Sequence, residues 1–306
     1  MNTRNSMNPI NSIWKRWKIE RESQIRSLKL TVYTLSRSPL SVIGFILVAI
    51  FLLVALIGPM IITHPQDIKG AVHMDRKLRS PSSTHPFGTD EVGRDIYSRV
   101  IIGTRLSLQI GLIIIFIAMG IGVPLGIIAG YVGGWVNEII MRITDIFLSV
   151  PGLLLALAIV GALGPGIKNA MIALSIVWWP GYVRLVQGKT LSLREENFVE
   201  AAKSIGASRF RIIFNHILPN CTSPIIVKAS MDMGMAILFA ANLGFIGVGA
   251  QPPEPEWGAM ISVGRNYLPD RWWMATFPGM AILITVLGFN LLGDGLRDVL
   301  DPQSRG

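Results

Sequence analysis

The sequence predicts an all-α polytopic membrane protein with six transmembrane helices. Three observations carry this. Of the 306 residues, 51% are hydrophobic and 15% are charged, against about 25% charged in an ordinary soluble domain. Mean hydropathy is +0.50. Several apolar runs reach the ~20 residues that cross about 30 Å of hydrocarbon. The net charge is +9, and much of the excess precedes the first apolar run, as the positive-inside rule requires. That placement argues for membrane anchoring and against a nucleic-acid partner. Cys221 is the only cysteine, which excludes an intrachain disulfide and Cys-x-x-Cys sites.

Residues 1–38 form an expected cytoplasmic tail. They hold Arg4, Lys15, Arg16, Lys18, Arg21, Arg26, Lys29 and Arg37 against Glu20 and Glu22, with Trp14 and Trp17 interleaved. Basic and aromatic residues of this kind rest on lipid headgroups. No cleavable leader is expected, because the first apolar run is too long for one. That run, within 39–62, extends from Leu40 to Ile62 and closes at Gly58-Pro59. Residues 63–102 are then an extracytoplasmic segment. Further spans are expected at 103–130, 136–162, 169–187, 223–249 and 274–296, forming a five-helix core over 103–297 with a cytoplasmic end at 298–306. Both termini then lie in the cytoplasm, as does the loop 188–222. In that loop Lys189, Arg194, Lys203, Arg209 and Arg211 outnumber Glu195, Glu196 and Glu200. The outer segment is itself slightly basic, but long loops count for less.

Small residues interrupt several spans: Gly120, Gly122, Pro124, Gly126 and Gly130, then Pro151-Gly152, then Pro180-Gly181. Each is compatible with plain bundle packing. Together they suggest a bundle that bends. Ionisable groups within the spans are few. Arg142 and Asp145 lie one turn apart, and Lys228 and Asp232 lie four apart, so each pair is expected to neutralise itself on one helix face. "GALGPGIK" (Gly161 to Lys168) lacks the Gly-Lys-Ser/Thr ending of a phosphate loop. The histidines His64, His73, His85 and His216 are scattered. No catalytic, cofactor or metal constellation is expected in this chain.

The segment "VEAAKSIGASRFRIIFNHILPN" (Val199 to Asn220) is charged where its surroundings are apolar. Phe198, Ala201, Ala202 and Ile205 fall at helical spacing. Glu200 suits the positive end of a helix. Gly206 can end that helix in the left-handed region, and Ser208 can cap a second one. The second helix presents Phe210, Ile213, Phe214 and Ile217, and Pro219 is expected to stop it. The pattern is a helical hairpin offered to a partner. The plainer reading is a solvated loop, which has no need of an ordered face and a glycine turn.

"EAAKSIGASRFRIIFNHILPN" resembles the EAA loop of ATP-binding-cassette importer permeases. The resemblance implies that Glu200, Ala201, Ala202 and Gly206 are contact and turn positions against a cytoplasmic ATPase. Arg209 falls just past the turn, and His216, Leu218, Pro219 and Asn220 match the closing part. "HPFGTDEVGRDIYSRVIIGTRLSL" (His85 to Leu108), "LGFIGVGAQPPEPEWGAM" (Leu243 to Met260) and "FNLLGDGLRDVLDP" (Phe289 to Pro302) resemble the dipeptide, oligopeptide and nickel branch, second permease subunit. Resemblance runs from about residue 36 to the C-terminus. It implies a type I importer permease fold in the inner membrane, working by alternating access and performing no covalent chemistry. The implied partners are a second homologous permease subunit, two ATPases that bind ATP and magnesium, and an extracytoplasmic solute-binding protein. Peptides are the implied solute; a nickel chelate, glutathione, an oligosaccharide or an opine is the alternative. The binding protein is expected to dock near 85–100 and 250–273. In the Met-rich fifth span, Met231 and Met235, with Asn242 further on, are candidate pathway-lining residues, although methionines at this spacing also serve as core. A secondary transporter and a membrane scaffold are the rival readings. The first lacks mid-membrane charges, and the second lacks room for a soluble domain.

Overall fold

The computed structural model describes residues 38–300. The basic tail, apart from Ser38, and residues 301–306 of the expected cytoplasmic end lie outside the described residues. The described residues are helices joined by turns, with no strand among them.

Helix α1 is Pro39–Ile61. Ser38 caps it by accepting from Ser41 N–H at 3.4 Å, and Pro39 occupies the first turn, where its missing N–H costs nothing. Its buried residues are Ser41, Gly44, Val48, Phe51, Ala55 and Gly58, one stripe at alternating spacings of three and four. Leucines and isoleucines cover the opposite face, which is exposed. The structure thus shows a helix with one protein-facing side.

Helix α2 is Ile96–Val132, 37 residues long. It starts at Ile96, before the expected 103, because Asp95 Oδ2 accepts from Ser98 N–H at 2.8 Å and caps it there. Helix α3 is Gly134–Ser149, α4 is Gly152–Leu163 and α5 is Ile167–Arg194. The helices do not break where the second and fourth spans carry proline. Pro124 and Pro180 sit inside continuous helices. Gly122, Gly126 and Gly130 face α5 instead: a Cβ on Gly126 would lie 2.8 Å from Val183 O, and one on Gly130 2.6 Å from Thr190 Cβ. These glycines set a close helix approach, and the contact over their length offsets their poor helix propensity. The bend falls between α3 and α4, at 90°. Pro151 disfavours helical geometry in the residue before it, and Val150 is extended at φ −93° and ψ 131°.

Helix α6 is Asn197–Ser204 and α7 is Arg209–Ile212. A π turn at Ile213–Ile217 leads into α8, Leu218–Ile246. Helix α9 is Trp257–Gly264 and α10 is Trp273–Leu300. Among the described residues, four helices are long and apolar enough to cross a membrane: α1, α2, the continuous Arg209–Ile246 and α10. The bent pair α3–α4 makes a fifth if it counts as one span. Helix α5, expected to cross over 169–187, is 28 residues long but less apolar, with Trp178, Trp179, Pro180, Tyr182 and Arg184 in its middle.

The main core joins α2, α5 and α8. Ile114, Ala118, Ala173, Leu174, Tyr182, Ala236 and Leu243 are fully buried there. A second cluster at one end packs Val199, Ile212, Ile217 and Cys221 on Ile127 and Val186, and fixes the α6–α7 hairpin to the bundle. We refer to this as the hairpin end. A third cluster, Ile96, Val100, Trp273 and Met274, closes the far end.

Candidate functional site

The hairpin is built from local signals. Gly206 has φ +78°, so the left-handed turn is real. Its N–H donates to Lys203 O at 2.9 Å, and Ala207 N–H donates to Ala202 O at 3.0 Å. This paired arrangement satisfies the last carbonyls of α6. Ser208 Oγ accepts from Arg211 N–H at 3.4 Å and caps α7. Glu200 lies in the first turn of α6 and is exposed, as are Ala201 and Arg209. Lys203 Nζ donates to Arg194 O at 3.4 Å and ties the hairpin to the end of α5.

The two expected apolar faces are divided between the bundle and the surface. The residues that dock α6 are Val199 and Ala202, while Phe198 and Ile205 point outward, Ile205 being 85% exposed. On the return limb Ile212 and Ile217 are buried, while Phe210 and Phe214 are 76% and 58% exposed. The hairpin therefore spends one apolar set on the bundle and displays another. The Phe210 and Phe214 rings are parallel at 6.5 Å, and Phe198 sits 6.1 Å from the His216 ring.

Pro219 does not stop the helix. Leu218 N–H reaches back five residues to Ile213 O, and this widened turn admits a proline in the following position. Asn220 Nδ2 donates to the His216 carbonyl at 2.6 Å. Glu200, Ala201, Ala202 and Gly206 thus sit on one limb and its turn. Arg209, His216, Leu218, Pro219 and Asn220 follow along one continuous helix, Arg209–Ile246.

Higher on α8, Lys228 Nζ stands 3.0 Å from Asp232 Oδ2, so this expected pair forms. Lys228 also lies over the Tyr182 ring at 5.2 Å. Sequence reasoning passed over Tyr182; its signal was a hydroxyl-bearing ring next to Gly181, whose missing side chain leaves room for Lys228. The other expected pair does not form. Arg142 pairs with Glu138 at 3.7 Å, and Asp145 pairs with Arg184 of α5. The choice was between helices, which spacing along one helix cannot reveal. Met231 packs on Gly293 of α10, Met235 is exposed, and Asn242 is half-buried. Met233 is core, against Gly111.

At the far end three of the four histidines, His64, His73 and His85, come together, while His216 lies on the hairpin. His85 Nδ1 lies 2.9 Å from Asp95 Oδ1, the His64 and His85 rings stack at 4.5 Å, and Thr63 Oγ1 donates to Asp95 Oδ2 at 3.2 Å. His64, His85 and Asp95 offer ligand-type atoms within 4.8 Å of one another. This corrects the reading of isolated histidines. The Asp95 oxygens are already engaged by Ser98, Thr63 and His85, so the cluster acts as a clasp between the end of α1 and the start of α2. Asp67 extends the clasp by accepting from Asp95 N–H at 2.8 Å, and His73 Nε2 stands 3.0 Å from its other oxygen. Glu256 accepts from Gly258 and Ala259 N–H and caps α9. Burial pushes its carboxyl up to about 7, against the pull of those two N–H groups. Trp257 Nε1 donates to Val100 O at 3.0 Å and locks α9 onto α2.

Comparison with known proteins agrees with this architecture. Residues 122–306 match the family model of the binding-protein-dependent transport system inner membrane component. Residues 28–81 match the N-terminal TM domain of oligopeptide transport permease C. The probable D,D-dipeptide transport system permease protein DdpC of Escherichia coli K12 is 49% identical over 94% of this chain and 95% of its own. The dipeptide transport system permease protein DppC of Alkalihalophilus pseudofirmus is 48% identical over 89% of this chain and 88% of its own. The glutathione transport system permease protein GsiD of Pectobacterium atrosepticum is 45% identical over 78% and 79%. Among solved structures, the MetNI methionine ABC transporter in an inward facing conformation superposes with a TM-score of 0.54 at 19% identity. The match covers 66% of this chain and 96% of that one, and shows a shared fold. With a helical bundle, an ordered hairpin and relatives aligned over nearly its whole length, the chain belongs to the family of inner membrane components of binding-protein-dependent transport systems.

Proposed function

We propose that this chain is the second permease subunit of an ATP-driven importer of di- or oligopeptides. In this reading it crosses the cytoplasmic membrane six times, with α5 and the bent pair α3–α4 as spans and both termini in the cytoplasm. It pairs with a homologous permease. Two cytoplasmic ATPases bind ATP and magnesium and supply the work, and a binding protein delivers solute to the far end. The observation that carries the reading is the displayed apolar set Phe198, Ile205, Phe210 and Phe214, held on a hairpin whose other face is buried in the bundle. Exposed rings on an ordered, charged element mark a protein-docking face. Peptides are favoured by the two dipeptide permeases among the relatives; the glutathione permease supports the alternative solute.

The test is reconstitution of this permease with its neighbouring subunits in vesicles. ATP-dependent uptake of a dipeptide, absent when the ATPases or the binding protein are omitted, is the expected result. Uptake that persists without any ATPase would support a secondary transporter instead. Uptake of glutathione and not of dipeptides would select the alternative solute.

A further inference from the structure

A cavity of about 580 Å³ lies between the hairpin ends of α5, α8 and α10. Its wall includes Lys189, Lys228, Asp232 and Arg297, together with Ser223 and Met231. Three cations therefore surround one carboxylate. Lys228 is committed to Asp232, with Nζ 3.2 Å from Oδ1 and 3.0 Å from Oδ2. Lys189 and Arg297 are exposed, and neither has an ion-pair partner among the described residues. Asp232 Oδ2 is buried, and the carboxylate is satisfied within the protein, by Lys228 at 3.0 Å and by the neighbouring Tyr182 hydroxyl. The volume suits a small solute, since ligand pockets span about 300–1,000 Å³. The walls are mixed: methionine supplies adaptable apolar surface, and the exposed Lys189 and Arg297 add positive charge at the rim.

We propose that this cavity is a transit subsite for a solute carrying a carboxylate. The carboxylate is held between Lys189 and Arg297, while Asp232, paired with Lys228, takes no part in holding the solute. The inference rests on the peptide-permease reading and deepens it. It assigns the permease its own preference for a free C-terminus, exerted by long-range charge and not by a tight pocket. Lys189 and Arg297 act as positioning charges at flexible ends, so the solute is drawn in but not retained.

The experiment places a reporter thiol in the wall, Ser223→Cys, in the complete importer reconstituted in nanodiscs, where both faces are accessible. Wild type serves as the blank, because Cys221 is buried. Rates of modification by an anionic and a cationic methanethiosulfonate are compared after division by each reagent's rate with free cysteine. The anionic reagent is expected to react about tenfold faster. Lys189→Gln with Arg297→Gln should bring the two rates together. Dialanine in millimolar excess should slow labelling, and dialaninamide should not. Equal or reversed reagent preference overturns the proposal, as does equal protection, or none, by the two peptides. ATP-dependent dialanine uptake by the wild-type importer is scored separately. Its absence fails the peptide reading, whereas uptake without charge preference at position 223 fails the subsite alone.

Discussion

Gly206 offers a perturbation whose magnitude can be worked from geometry alone. Its φ is +78°, and nothing stands within 4 Å of a Cβ placed there. Any substitution therefore acts through the backbone and not through a clash. A side chain in the left-handed region costs about 1–2 kcal/mol. The alternative is to fray the turn, which loses the bonds to Lys203 O and Ala202 O at about 1 kcal/mol each. Whichever is cheaper sets the cost, so Gly206→Val should shift the ordered hairpin by about 1–2 kcal/mol, a factor of 5–30 in population. Gly206→Asn should cost least, because asparagine tolerates this conformation, and Gly206→Ala should fall between. The assay is solute-stimulated ATP hydrolysis by the reconstituted importer, with permease abundance as the control. Stimulation should fall in the order Gly, Asn, Ala, Val at constant abundance. If Asn and Val lose stimulation equally, backbone strain is not the cause. If neither loses any, the hairpin is not the coupling element.

Phe210→Ala with Phe214→Ala removes exposed rings only, so abundance should hold while co-purification of the ATPases drops; an unchanged ATPase yield would remove the docking face. Glu200→Lys places a cation at the positive end of α6, costing about 0.3–1 kcal/mol, and should weaken the same co-purification; unaltered assembly would show that the charge is not read. Gly126→Ala puts a Cβ 2.8 Å from Val183 O and should lower the melting temperature through about 1–3 kcal/mol of overpacking, whereas Gly188→Ala, with nothing within 4 Å, should be neutral or stabilising. Glu256, raised to about 7, keeps its proton in the folded state through a window where the unfolded chain has lost it. Stability is therefore greatest near the lower edge of that window, at about 4.5, and falls as pH rises through about 7, by on the order of 1–3 kcal/mol. Melting temperatures from about pH 5 to about pH 8 should show this decline, and Glu256→Gln should flatten it; matching slopes would contradict the burial argument. Cysteine reporters at Asp75 and Lys203 should label from opposite faces of the membrane, and labelling from one face would refute the six-span arrangement.

What the sequence makes legible here is local. Gly206, Ser208 and Glu200 announce a helix end, a cap and a helix start, and the structure places each as its chemistry requires. What it hides is choice between distant partners. Asp145 could neutralise Arg142 one turn away, yet it pairs with Arg184 on α5. Phe198 and Val199 are both apolar neighbours, and only docking on Ile127 and Val186 decides that Val199 is buried. The histidines of the far end are separated along the chain by a segment of turns, so only the fold brings His64 to His85. Pro219 misleads for a different reason. Proline is a stop signal for an α-helix, and a π turn, which changes which carbonyl is met, leaves no mark in the composition.

That π turn bears on how the hairpin could move the pathway. A force applied at α6 and α7 reaches the cavity only if the intervening backbone is stiff. From Arg209 to Ile246 it is one helix, 38 residues long. The wide turn at Ile213–Ile217 lies between the docked hairpin and the Lys228–Asp232 pair. The upper end is fixed more firmly. Gly258 meets Ala241 so closely that a Cβ would lie 2.0 Å from its carbonyl oxygen, and Glu256 packs against Gly244. A helix clamped at its far end and widened near its driven end pivots about the clamp. Displacement is then largest at the hairpin and still appreciable at the cavity wall. It must be accommodated where α8 meets α10, at Met231 against Gly293. Methionine is suited to such a contact, because three rotatable bonds let it follow a moving surface. Met231→Ile keeps the apolar bulk and removes that compliance. It should leave ATPase docking intact and lower the ratio of solute imported to ATP hydrolysed. A variant with an unchanged ratio would show that α8 does not slide on α10, and the pivot would have to lie elsewhere.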